Sequence, residues 1–377
     1  MTETPSPRVL LVAGARPNFM KVAPILAQLE RSGSDVVLVH TGQHYSPELS
    51  DNILRDLDIR EPDFNLGVGS DTHARQTARV MEAFEPVLLE TRPDWVVVVG
   101  DVNSTLACSL VTAKLKEETG SRLAHVEAGL RSGDWRMPEE INRVIADRLS
   151  DLLLTPSRDA AKNLIAEGIP PDRIVFVGNV MIDTLLLQLP KARALNTART
   201  LGLQNRDYVV VTLHRPSNVD SRETLQPILE GLAAINADAR VVLPIHPRTR
   251  KNAEAFGLGQ LLDELLTLRS LGYLEMLSLT DGASAVLTDS GGLQEETTAL
   301  GIPCVTLREQ TERPITLTEG TNRMVPWPLT AGRLFDSFKL ARAQGRALVG
   351  SRCPEGWDGS ASTRIISALR GRPNPRT

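Results

Sequence analysis

Trp95-Val96-Val97-Val98-Val99-Gly100-Asp101-Val102-Asn103-Ser104-Thr105 is an unbroken apolar run, then a glycine, an acid and a polar helix start. A strand apolar at every position, not at alternate ones, is one buried on both faces. The same unit recurs outward from it. Residues 8–13, 36–40, 123–126, 152–155 and 174–177 form further strand-like runs, and 18–31, 75–90, 104–118 and 139–149 carry helical spacing between them. After a helical connector at 178–206 that ends in a polar loop, the rhythm restarts. Strands are expected at 208–213, 241–245, 285–288 and 304–307, with helices at 222–235 and 293–300. This alternation predicts an α/β protein made of two Rossmann-like, doubly wound domains with parallel sheets. If the two face each other across a cleft, the strand C-termini of both sheets meet one ligand, so the informative residues should follow strands.

The bulk properties agree with that reading. The 377 residues exceed one ordinary core and favour two domains. Charged residues make up 23% and hydrophobic ones 41%, which excludes a disordered chain. A net charge of −4 argues against nucleic acid or a membrane surface as a general partner. Cys108, Cys304 and Cys353 are odd in number and lack CxxC spacing, so neither a disulfide framework nor a metal site is expected. Met1 to Pro7 lacks the basic start and apolar core of a signal peptide, and no run of 18 apolar residues occurs. A cytoplasmic location is expected.

Six loops carry the chemistry. Gly14-Ala15-Arg16-Pro17-Asn18-Phe19-Met20-Lys21 ends a strand and opens a helix, with Arg16 and Lys21 beside an N-terminus that favours anions. It lacks GxGxxG and GxxxxGK[ST] spacing, and a capped helix with two surface cations is the plain alternative. Asp289-Ser290-Gly291-Gly292-Leu293-Gln294-Glu295-Glu296 lets backbone amides approach a phosphate at Ser290, Gly291 and Gly292, with Glu296 placed for a ribose diol. Gly-Gly before a helix is equally a tight turn. Asp101, Glu127 and Glu139 each follow a strand or open a helix, where a carboxylate also serves as a cap. Three at one sheet edge favour acid–base work. His214, in Thr212-Leu213-His214-Arg215-Pro216-Ser217-Asn218, ends a strand and is either a structural histidine or a site residue. Thr311-Glu312-Arg313-Pro314 offers an arginine suited to phosphate.

In this order GARPNFMK, TGQHY at 41–45, GDVNST, HVEAGLRS with MPEEINR, TLHRPSN, DSGGLQEET and TERP closely resemble the non-hydrolysing UDP-N-acetylglucosamine 2-epimerases, over about residues 8–369. The resemblance implies a glycosyltransferase-B-type fold. Its parts would be an N-terminal Rossmann-like domain at 1–177 bearing the acid–base carboxylates, a hinge at 178–206, a UDP-binding domain at 207–355, and a final helix within 356–377 crossing back to the first domain.

It also implies reversible C2 epimerisation of UDP-GlcNAc to UDP-ManNAc, with no external cofactor and a homodimer as the usual assembly. C2–H is barely acidic until the C1–O bond to UDP breaks, so the family is held to eliminate UDP, form a 2-acetamidoglucal and re-add UDP. Carried over residue by residue, Asp101, Glu127 and Glu139 are the acid–base groups and His214 steadies departing UDP. Arg16, Ser290, Gly291, Gly292 and Arg313 would hold the diphosphate, Glu296 the ribose, and Lys21 the sugar. Met276, in 271–276, stands in the uracil-packing stretch. Gln43 matches an activator-site residue of bacterial members, with Arg75 a possible companion. Yet Arg215-Pro216-Ser217 departs from their HRRE pattern and Ser46 replaces a longer polar group. Weak or absent activation by a second substrate molecule is expected. The alternatives are an epimerase of a related UDP-acetamido sugar, such as a diacetamido-glucuronate, a transferase of the same fold, or a silent nucleotide-sugar sensor.

Overall fold

A computed structural model describes residues 6–43, 54–204 and 206–371, apart from the side chains of Arg16 and Pro17. His44, Tyr45 and Ser46 lie outside the described residues, and so does the Arg16 side chain. The chain forms two compact units, Met1–Thr184 with Glu355–Thr377, and Leu185–Pro354.

The first unit is built on β1 Val9–Ala13, β2 Val36–His40, β3 Phe64–Asn65, β4 Trp95–Val99, β5 Arg122–Val126, β6 Leu152–Thr155 and β7 Ile174–Phe176. They form one parallel sheet in the order β3-β2-β1-β4-β5-β6-β7. Its longer helices are α1 Arg16–Arg31, α2 His73–Thr91, α3 Asn103–Lys114, α4 Pro138–Leu149 and α5 Arg158–Ala166. Every residue of β1, β4 and β6 is buried, as the continuous apolar runs require. Val96, Val98, Phe84, Leu88 and Val111 meet in one core between the sheet and α2 and α3. Helix α6, Val180–Leu195, carries the chain into the second unit.

There β8 Tyr208–Thr212, β9 Arg240–Pro244, β10 Leu266–Leu268, β11 Ala285–Thr288, β12 Cys304–Thr306 and β13 Asn322–Met324 form a parallel sheet ordered β10-β9-β8-β11-β12-β13. Helices α7 Arg222–Asn236, α8 Pro247–Ala255, α9 Tyr273–Asp281, α10 Gly291–Leu300 and α11 Ala331–Gln344 flank it. The last helix, α12 Ala361–Arg370, belongs to the first unit and packs on α1.

The predicted fold class is what the structure shows: two parallel sheets wound with helices. In each sheet the strand order reverses beside the first strand, between β1 and β4 and between β8 and β11. Such switch points leave a crevice at the strand C-termini. The loops after β1, β4 and β5, and after β8, β11 and β12, carry the motif residues.

Candidate active site

In the first unit, Asn18 joins the two loops that flank the switch point. Its Oδ1 accepts the amides of Gly14 at 3.2 Å and Ala15 at 3.0 Å, while Nδ2 donates to the Val99 carbonyl at 2.8 Å. Gly14 has to be glycine, since a Cβ there would stand 2.6 Å from Ser104. One turn along α1, the Lys21 ammonium is paired with the Glu127 carboxylate, and both side chains are buried. Glu127 takes the left-handed backbone, φ +71°, which a non-glycine residue adopts at a cost of about 1–3 kcal/mol and mostly where function needs it. That turn aims its carboxylate back at Lys21 and at Gly100, whose added Cβ would lie 3.4 Å from Glu127 Oε2.

Asp101 is gripped by Arg143 from α4, whose Nε and Nη2 both reach Asp101 Oδ2, at 2.9 and 2.6 Å. Arg143 is buried and is itself held by Glu140 at 2.6 Å, while Asp101 keeps a partly open face. Burial would raise the Glu140 pKa, but the amides of Ser132 and Gly133 and the Arg143 charge outweigh it and hold that carboxyl below its usual range. Glu139 stands half-buried in the first turn of the same helix, where the dipole favours an anion. The fold thus places Asp101 and Glu127 in the loops after β4 and β5, and Glu139 in the first turn of the helix that follows β5. Two of the three have a buried cationic partner.

Gln43 is buried, and its Oε1 accepts from the backbone amide of Ser104 at 3.0 Å and from its hydroxyl at 2.8 Å, capping α3. Arg75 is exposed on α2. Asn103 and Gln76 continue this polar seam behind the Asp101 loop.

In the second unit Asp289, fully buried at the end of β11, organises the loop after β8. It accepts the amides of His214 at 3.0 Å and Arg215 at 2.9 Å, the Asn218 side chain at 3.1 Å, and His214 Nδ1 at 2.8 Å. Burial alone would raise the Asp289 pKa, but the hydrogen bond and charge of His214, with the two amides, pull it below the carboxylate range. An ionised acceptor at Nδ1 leaves Nε2 as the outward nitrogen of a ring whose side chain is 46% exposed.

Helix α10 begins at Gly291, and the side chain of its N-cap residue Ser290 makes no capping hydrogen bond, while the Ser290 amide donates to Thr288 Oγ1 at 2.9 Å. Arg313 lies directly against that terminus. A Cβ on Gly291 would meet its Nη1 at 2.6 Å. Glu295 at 2.9 Å and Glu312 at 2.9 Å fix the guanidinium, and Glu312 also pairs with Arg308 and Arg215. Glu296, the next residue, is buried without a cation. Desolvation, then the Glu295 charge, push its pKa up to about 8 although the Tyr273 hydroxyl opposes them. Met276 is half-buried on α9, one turn beyond Tyr273. The start of α10, the arginine pinned against it and the histidine after β8 thus lie on loops at the C-terminal ends of neighbouring strands of this sheet.

With this geometry in view, the comparisons with known proteins are decisive. The family model for UDP-N-acetylglucosamine 2-epimerase matches residues 27–370. The chain belongs to the UDP-N-acetylglucosamine 2-epimerase family. A curated UDP-N-acetylglucosamine 2-epimerase of Methanocaldococcus jannaschii is 42% identical over 326 residues, covering 84% of this chain and 88% of that one. A UDP-2,3-diacetamido-2,3-dideoxy-D-glucuronate 2-epimerase of Pseudomonas aeruginosa is 41% identical over 323 residues, with 84% and 88% covered. Among solved structures, the M. jannaschii epimerase in complex with UDP-GlcNAc and UDP superposes with a TM-score of 0.85 at 39% identity, over 96% of this chain and 99% of that one. These relatives are isomerases, and this member of the family is one with them.

For this epimerase-family chain, the partners of the motif residues were not evident from sequence. Asp289 lies in the DSGGLQEET motif, yet its hold on His214 joins residues 75 apart. Arg143 sat inside MPEEINR, and its spacing of three from Glu140 was the available signal. Tyr273 beside Glu296, and Glu295 and Glu312 around Arg313, had no signal beyond residue type.

Proposed function

We propose that this protein interconverts UDP-GlcNAc and UDP-ManNAc by eliminating UDP and adding it back. The observation that carries this reading is the family match over residues 27–370, supported by carboxylates with buried cationic partners in one unit and a helix N-terminus flanked by Arg313 in the other.

In this reading the second unit grips UDP. The free amides of α10 and Arg313 take the diphosphate, and Ser290 adds its hydroxyl. Arg16 contributes from the start of α1. Glu296, protonated at neutral pH, both donates to and accepts from the ribose diol, with Met276 against the uracil. His214, held at Nδ1 by Asp289, presents Nε2 to the β-phosphate of the leaving UDP. In the first unit one carboxylate removes the C2 proton as the C1–O bond breaks toward UDP. Electrons from C2–H form the C1=C2 bond of the 2-acetamidoglucal. A second carboxylate, in its acid form, returns a proton to C2 from the opposite face while UDP oxygen reattaches at C1. Glu127 beside Lys21, Asp101 beside Arg143, and Glu139 fill these roles among them. No external cofactor enters the scheme. The linking residues 178–206 act as the hinge that admits substrate and then excludes water from the glucal.

The product would supply ManNAc units for surface polysaccharide from the cytoplasm, with the enzyme a homodimer. Gln43 contributes to the capping of α3, which supports weak or absent activation at a Gln43/Arg75 site. Hyperbolic kinetics from UDP-ManNAc alone are expected, and a lag abolished by traces of UDP-GlcNAc would contradict this. The similar identity to the Pseudomonas enzyme makes the diacetamido-glucuronate nucleotide the competing substrate. Steady-state assays on both sugars decide between them. We expect kcat/KM to favour UDP-GlcNAc, and turnover of the uronate alone would overturn the choice.

A further inference from the structure

His125 and Asp147 are fully buried, and neither belongs to the groups assigned to proton transfer, yet they bond the chain beside Asp101 and on both sides of Glu127, and Asp147 shares a helix with Glu139. His125 Nε2 meets the Gly100 carbonyl at 2.8 Å, the residue just before Asp101. His125 Nδ1 meets Asp147 Oδ1 at 2.7 Å. The other oxygen of Asp147 accepts the Gly129 amide at 3.1 Å, so one carboxylate holds the chain on both sides of Glu127. Asp147 itself sits on α4, about two turns beyond Glu139.

The hydrogens follow from the partners. A carbonyl only accepts, so Nε2 carries a proton. Burial works to raise the Asp147 pKa, but its interactions with His125 and Arg131 more than offset it and hold the carboxyl below its usual range. Arg131 adds a cation at 2.8 Å and extends the chain of charges to Glu167 at 2.7 Å. A ring bonded at both nitrogens, between a carbonyl and a carboxylate, has one orientation only, and the loops it joins are fixed with it.

We propose that His125 and Asp147 are positioning residues that set the spacing of Asp101, Glu127 and Glu139 for proton transfer at C2. The inference rests on the epimerase reading. It differs from a mere packing role because the two ring nitrogens do separable work. Asn at 125 places its amide nitrogen near Nδ1, keeping Asp147 and releasing Gly100. Gln reaches to Nε2, keeping Gly100 and releasing Asp147.

The test measures UDP-GlcNAc epimerisation and C2 exchange in deuterated water for the full chain, with unfolding temperature and UDP affinity recorded for each variant. For His125→Asn we expect kcat to fall about 100-fold, KM to stay within about threefold and UDP affinity to hold, as a displacement near 1 Å implies. His125→Gln should recover about tenfold of that loss. Asp147→Asn, which keeps the shape and removes the charge, should lower kcat with the same small change in KM, and it serves if a histidine variant does not fold. Wild-type kcat in His125→Asn, or a fall in kcat and unfolding temperature with a matching rise in KM in all variants, overturns the proposal. A wild-type protein that neither epimerises nor exchanges C2–H overturns the epimerase reading and the proposal with it.

Discussion

Glu295 and Glu296 are neighbours in sequence, both buried, and differently partnered. Glu295 pairs with Arg313, whereas Glu296 has its pKa pushed up to about 8. An acid whose folded pKa exceeds its unfolded value keeps a proton that the unfolded chain has lost. Its stabilisation is complete below the ordinary carboxyl range and is lost as pH rises through about 8. Glu296→Gln should abolish that loss. Without nucleotide, its unfolding temperature should fall less than the wild type's between about pH 5 and about pH 9, and parallel curves would refute the assignment. Lys21 tests the other buried charge. Lys21→Met leaves Glu127 without its cation and should cost about 3–5 kcal/mol in urea unfolding, while adding Glu127→Gln should restore much of it. No recovery would mean the pair does not govern the site's stability. At this scale the candidate residues could be read because each follows a strand in a quoted motif. Their partners could not, because Arg143 on Asp101 and Asp289 on His214 join segments that only the folded sheet brings together.

Helix α10 is the element on which the proposed hold on UDP turns. Its N-cap residue Ser290 makes no side-chain cap bond, and glycine at 291 admits Arg313 beside it. Gly291→Ala should leave the helix as stable or more so, since alanine exceeds glycine there by about 1 kcal/mol. The new Cβ, 2.6 Å from an arginine pinned by Glu295 and Glu312, should displace the guanidinium. UDP affinity should then fall about tenfold, roughly 1.4 kcal/mol by calorimetry, and unchanged affinity would contradict the placement. The central strands were legible because burial on both faces forces continuous apolar runs. Strands β3, β10 and β13, two or three residues long at sheet edges, were not, whereas β7, equally short and at an edge, was betrayed by its apolar run at 174–177. The expected helix at 104–118 is two, Asn103–Lys114 and Lys116–Thr119, because the first ends at Leu115 before a new turn begins.

At the scale of the molecule, chain length foretold two units, but local pattern gave no hint that residues 355–371 return to the first; only the family resemblance did. The return is tightly built. Asp183 accepts the amides of Ala361 and Ser362 at 3.0 and 2.7 Å, and Trp95 Nε1 donates to the Leu369 carbonyl at 3.2 Å. Gly178, at φ +82°, leaves no room for a Cβ, which would lie 2.0 Å from the Gly356 carbonyl. Gly178→Ala should therefore release this segment, seen as faster proteolysis near residue 355 and a lower unfolding temperature, while wild-type resistance would show the contact to be dispensable. The division of labour between the units, one gripping UDP and the other moving protons, is most directly tested by incubating the protein with UDP-GlcNAc in deuterated water and following C2 by NMR. The account predicts deuterium at C2 together with UDP-ManNAc. Nucleotide binding with C2–H fully retained and no UDP-ManNAc would contradict it.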